Sequence, residues 1–160
     1  MALPQLIAED VRELDRLLAE LVSRSEASAA MIIDKAGFLI NQAGDFERFD
    51  STTLAALAAG SYAATQGMAS VVSEPNFNSV YQQGENFSLL VQNIEGDTLL
   101  MVVFAAHVSV GAVKYFANTT VQLLSKRFEA ARGRDPAASL DLATMNMENS
   151  SEFFRKVGQS

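Results

Sequence analysis

The sequence is short of the residues that catalysis and membrane insertion depend on. Cysteine is absent, which excludes a disulfide framework and thiolate chemistry. One histidine, His107, cannot build a two-histidine metal site. It reads as a loop or capping residue ahead of the last helix rather than a catalytic base. A Ser-His-Asp set exists in count alone, because no serine sits in a GxSxG elbow. No GxxxxGK[ST] stretch is present either, and Gly60 to Gly67 falls within a predicted helix, not in a strand-to-helix phosphate loop.

Positive charge is scarce too. The net charge is −7 with a pI near 4.6, and no basic run occurs, which argues against a phosphate-backbone binder. No apolar run approaches the ~18 residues of a membrane span. The start, MALPQLIAEDVREL, carries acidic residues early and no continuous apolar core of a signal peptide. These absences predict a cytoplasmic protein with no nucleic-acid partner, no membrane insertion, no cofactor or metal, and no active site of its own.

What is present is a 49% hydrophobic composition, enough for one real core. The most informative stretch is Phe49 to Ser73, FDSTTLAALAAGSYAATQGMASVVS, with no charged residue between Thr52 and Ser73. At about 100° per residue, Leu54, Leu57, Met68, Val71 and Val72 share one broad face, the expected core face. Ala56, Gly60, Ala63, Gly67 and Ser70 form a second stripe of small residues. Glycine in a helix interior costs about 0.8–1.0 kcal/mol relative to alanine. Two glycines on one stripe therefore point to a second backbone in close approach, most simply the same helix across a two-fold axis. A generic Ala-rich core helix is the alternative. Asp50 is the expected N-cap, with Phe49 and Leu54 at staple spacing, and Glu74-Pro75 ends the helix.

Before it, Ala8 to Ser25 has Val11, Leu14, Leu17, Leu18 and Leu21 at helical spacing, and Glu9-Asp10 is expected on a solvated face. Ala29 to Ile33 and Phe38 to Gln42 flank Asp34-Lys35-Ala36-Gly37, a hairpin in which Gly37 supplies positive φ and Asp34 serves the turn. Later strands are expected at Asn78–Gln83, Phe87–Asn93 and Thr98–Ala105, the last nearly all apolar and so central. Ser109 caps a final helix to about Arg132, with Val110, Val113, Ala117, Val121, Leu124 and Phe128 inward and Gly133 at its end. The order α-β-β-α-β-β-β-α predicts an α+β sandwich, a five-stranded antiparallel sheet with helices on its faces. Residues 1–132 form the domain, and 133–160 a C-terminal tail in which 151–157 can make a short amphipathic helix.

Three segments, IIDKAGFLINQAG, DSTTLAALAAGSYAATQGMA and VSVGAVKYFA, resemble the roadblock family, named for a dynein light chain, over roughly residues 8 to 132. Within it the likeness is to the MglB-like branch, bacterial regulators of a Ras-like polarity GTPase. The resemblance implies a homodimer whose second helices pack side by side through Ala56, Gly60, Ala63, Gly67 and Ser70. It also implies a platform on those helices for one Ras-like small GTPase. Tyr62, Gln66 and Ala69 are expected on the side away from the core, so Tyr62, Ala63, Gln66 and Gly67 are the expected platform. The helix has no Arg or Lys, and the nearest, Arg48, precedes its cap. GTPase activation would therefore work by positioning the GTPase's own switch residues, not by an arginine finger. MglB-like members carry tails that contact the GTPase, which here implicates Phe153, Phe154 and Val157. The branch implies work in cell polarity or motility, with concentration at a cell pole. A non-catalytic roadblock scaffold is the competing reading. A small-ligand sensor of related shape is weaker, for want of buried polar or aromatic residues to line a pocket.

Overall fold

The chain leaves its sheet at one edge and re-enters it at the other, and that single crossing sets out the molecule. The computed structural model describes residues 3–134. Its elements are α1 (Ala8–Ser25), β1 (Ala29–Asp34), β2 (Leu39–Gly44), α2 (Ser51–Val71), β3 (Ser79–Gln83), β4 (Phe87–Glu95), β5 (Thr98–Ala105) and α3 (Val110–Arg132). All strand pairings are antiparallel, in the order β2-β1-β5-β4-β3. Since β2 and β3 are the two edges, α2 must span one sheet face to connect them. The other face carries α1 and α3.

The period-2 alternation of the strands sorts side chains into two layers. Ala30, Ile32, Leu100, Val102 and Phe104 pack under Leu14, Leu18, Val113, Leu124 and Phe128 of α1 and α3. Ala29, Met31, Ile33, Leu99, Met101 and Val103 pack under α2. Strand β5 is buried on both faces up to Phe104, as its unbroken apolar run predicts.

The element order and the five-stranded sheet are those expected from the sequence, and several boundaries shift for local reasons. The α2 helix ends at Val71, with Ser73 at φ +60° and the Glu74 amide bonded to the Ala69 carbonyl. Strand β4 runs on to Glu95. Gly133 does stand at the end of α3, but at φ −73°, so its left-handed freedom is unused. Val11 is 43% exposed, not inward. Asp10 is the larger correction: it is fully buried, not solvated, and is paired with Arg127 of α3 and with Arg134 just beyond that helix.

Candidate interaction surface on the second helix

Asp50 starts α2 as expected, its carboxylate accepting from the Thr52 and Thr53 amides and from the Thr53 hydroxyl. The Thr53 hydroxyl contributes most to holding its pKa below the usual carboxylate range. Phe49 and Leu54 both pack into the α2 layer of the core, and Phe49 meets Phe87 edge-to-face at 5.5 Å.

The helix then turns a different side to the sheet from the one its aliphatic residues suggest. Ala55, Ala58, Ala59, Tyr62 and Ala69 are buried. Leu54 is partly buried, while Leu57, Met68, Val71 and Val72 are 58–85% exposed. The core-face assignment from sequence is therefore corrected. The buried side is made of alanines together with the Tyr62 ring, which packs among Met31, Ile33, Val91 and Met101. With no charged side chain on any side, nothing in the periodicity marked the outer face.

The stripe of small residues is outward in the protomer: Ala56, Gly60, Ala63, Gly67 and Ser70 are all exposed. A Cβ added at Gly60 or Gly67 would meet nothing within 4 Å. Neither glycine is required by the protomer's own packing.

The expected platform residues divide. Ala63 and Gly67 are on the surface, whereas Tyr62 is 6% exposed and Ala69 1%. The placement of Tyr62 on the outer side is overturned, because its ring belongs to the core under α2. Its hydroxyl donates to the Phe77 carbonyl at 3.2 Å, and burial raises its pKa. Gln66 is half-buried, and its side-chain amide donates to the Phe77 carbonyl at 2.7 Å. Both residues thus secure the loop that follows α2. The outer face instead adds Leu57, Ala64, Met68 and Val71. Phe153, Phe154 and Val157 lie outside the described residues.

The two flanks of α2 differ. On one, the β1–β2 hairpin presses its turn against the helix. Gly37, at φ +101°, would place a Cβ 3.2 Å from the Ala56 Cα. The turn is held by Asp34, whose carboxylate accepts from the Ala36 amide at 2.6 Å. Lys35 donates to the Gly96 carbonyl and lies 5.5 Å from the Tyr62 ring centre. On the other flank, an open groove of about 300 Å³ runs between α2 and the sheet, lined by Leu54, Leu57, Ser61, Gln82, Leu89 and Val91. It adjoins edge strand β3, whose SVYQQ sequence has no charge, proline or bulge to block pairing with another strand. The opposite edge, β2, is interrupted by a bulge where Ile32 pairs with Asn41 and Ile33 with Leu39.

No Asp, Glu, Lys, Arg or His lies within α2 itself, and Lys35 reaches its hairpin flank beside Tyr62. Arg48 and Asp50 share a hollow with Thr53 and Leu57 at the N-terminal end of the helix. Among the described residues, no group of three or more His, Asp or Glu can hold a metal ion, and no helix is long and apolar enough to cross a membrane.

Comparison with known proteins matches residues 13–104 to the Roadblock/LC7 domain. Among solved structures, Myxococcus xanthus MglB is 30% identical, over 74% of this chain and 96% of that one, with a TM-score of 0.71. The gliding protein MglB from Thermus thermophilus is 28% identical, over 81% of this chain and 97% of that one, with a TM-score of 0.74. An MglB with a tetrameric arrangement is equally identical over the same shares, with a TM-score of 0.75. No curated protein sequence matches.

Proposed function

This chain belongs to the Roadblock/LC7 family, and on that premise we propose that it is a homodimeric regulator of a Ras-like small GTPase. It stimulates GTP hydrolysis in bacterial cell polarity or motility. The observation that carries the reading is the outer face of α2: apolar, free of charge and continuous through its groove with the unblocked β3 edge. A soluble protein of net charge −7 has no use for such a contiguous apolar face unless something covers it. Similarity to MglB structures supports a second copy and a GTPase as the occupants.

In this reading two α2 helices meet where glycines let backbones approach, and their outer faces make one platform for one GTPase. Ala63 and Gly67 carry the contact, joined by Ala64 and Met68. Gln66 acts from beneath by fixing the end of the helix. With no cation on the face, the platform stimulates turnover by ordering the GTPase's own switch segments. The tail residues Phe153, Phe154 and Val157 supply a second, tethered contact.

That lack of a cation also favours one alternative, a roadblock scaffold that binds the GTPase without changing turnover, since no arginine finger is offered. Single-turnover GTP hydrolysis by the cognate GTPase, with and without this protein, separates the two. Acceleration supports the regulator, and binding with unchanged turnover supports the scaffold. Ala63→Arg and Gly67→Arg should abolish binding or split the dimer, which calorimetry and light scattering distinguish. Wild-type affinity and stoichiometry in both variants would mean the platform lies elsewhere.

A further inference from the structure

On the sheet face opposite α2, the two helices α1 and α3 run antiparallel, with Asp10 beside Arg127 and Leu21 beside Phe116. Along their outer seam lies a small, shallow cleft of about 40 Å³, with the buried Leu17 and Leu21 beneath it, Phe116, Thr119, Thr120 and Leu123 around it, and Glu20 and Arg24 at its rim. Leu123 is 42% exposed, and Tyr115, edge-on to Phe116, is 69% exposed. No function proposed above uses this side. Pairing through α2 and β3 would leave it facing outward in the dimer.

We infer that this cleft is the resting place of the same chain's segment Phe153–Val157. The first support is reach. The described body ends at Arg134, which is anchored to Asp10. Measured back along α3, the cleft starts about 16 Å away at Leu123 and ends about 27 Å away at Phe116. The eighteen residues 135–152 reach at most about 60 Å when fully extended, so the whole cleft lies within range, and a tether of this length gives an effective concentration on the order of 1 mM.

The second support is chemistry. Phe153, Phe154 and Val157 stand at i, i+1 and i+4, the spacing of anchors that seat an amphipathic helix in an apolar groove. Arg155 and Lys156 put two positive charges beside the anchors, facing a body with ten Lys and Arg against fifteen Asp and Glu; the attraction is local to 153–157, since Asp135, Asp141, Glu148 and Glu152 make residues 135–160 net negative. At the rim, Glu20 is paired with Arg16 and Arg24 only through exposed contacts, which exchange readily with water and other cations.

Docking does not depend on the proposed GTPase function. If that function holds, a GTPase must draw the tail out of the cleft before using it, so docking lowers the tail's contribution to binding.

The test uses amide NMR spectra of the full chain with no partner present, beside Phe153→Ser/Phe154→Ser, Leu123→Glu and a chain ending at Arg134, which retains every described element. The amides of Leu17, Leu21, Phe116 and Leu123 should shift between the full chain and the double variant. The shortened chain should match the double variant. Leu123→Glu, at an exposed position, should remove the effect while preserving the fold. A peptide of residues 149–160 added to the shortened chain should restore the shifts, saturating on the order of 0.1–1 mM. Identical spectra at those four residues would overturn the inference. So would shifts confined to Gly60, Ala64 and Met68 on α2.

Discussion

Arg134 grips Asp10 with both arms of its guanidinium, Nη1 donating to Oδ2 at 2.9 Å and Nη2 to Oδ1 at 2.8 Å, across 124 residues of sequence. The same carboxylate accepts from the Ile7 amide at 2.9 Å and pairs with Arg127 Nε at 2.8 Å. One buried anion thus caps the first turn of α1 and ties it to the last turns of α3. The last of the described residues is therefore held in place.

This grip predicts an acid-sensitive component of stability. The Arg134 hydrogen bonds, helped by the Ile7 amide and the charges of Arg134 and Arg127, lower the Asp10 pKa to about 2 against the opposing effect of burial. Its unfolded value is about 3.9. A folded-state pKa that is depressed stabilises the protein above the unfolded pKa, and that stability is lost as pH falls toward 2. The component is about 2 kcal/mol. Asp10→Asn should cost about 3 kcal/mol at neutral pH, near the low end for a broken buried pair because both guanidiniums keep some water contact. It should also flatten the loss between pH 4 and 2, as urea unfolding at several pH values will show.

Gly60→Leu should split the proposed dimer without harming the protomer. No neighbouring atom lies within 4 Å of a Cβ at that position, and leucine is the better helix former. Light scattering at micromolar concentration should fall to a mass near 17 kDa, with unchanged helical circular dichroism. A variant that stays dimeric with wild-type affinity removes the small-residue stripe from the seam.

Tyr62→Phe should reduce stability by about 1 kcal/mol, the usual value of a lost hydrogen bond, and leave GTPase affinity unchanged. Tyr62→Ala empties part of the core and should cost about 3–5 kcal/mol. Denaturation measured beside calorimetry separates this structural role from the contact role that the helix pattern suggested.

A chain ending at Arg134 should keep the proposed dimer, because every described core contact and the Asp10 grip are retained, and should lose only about 0.4–1.4 kcal/mol of stability, the linkage value of the inferred tail contact. It should bind the GTPase more weakly or alter nucleotide exchange. Unchanged affinity, exchange and hydrolysis would leave the tail without a part in the function.

The sequence by itself determined the element order, the caps at Asp50 and Ser109, the hairpin at Gly37 and the burial of β5. Each rests on a local signal: a polar side chain that reaches its own backbone, a glycine where φ is positive, or an unbroken apolar run. Family membership was legible in the same way, through the two-stranded motif and the charge-free second helix. Only the tertiary structure decided which side of that helix faces the sheet. Its alanines, tyrosine and larger aliphatics surround the axis without a charged residue to mark the outside, so the choice falls to the fit against the side chains of the sheet. Packing with Met31, Ile33, Val91 and Met101 buried Ala55, Ala58 and Tyr62, and left Leu57 and Met68 outward beside the glycines. Asp10 was hidden from the sequence for the same reason. Its partners stand more than a hundred residues away, and only the antiparallel packing of α1 and α3 brings them together.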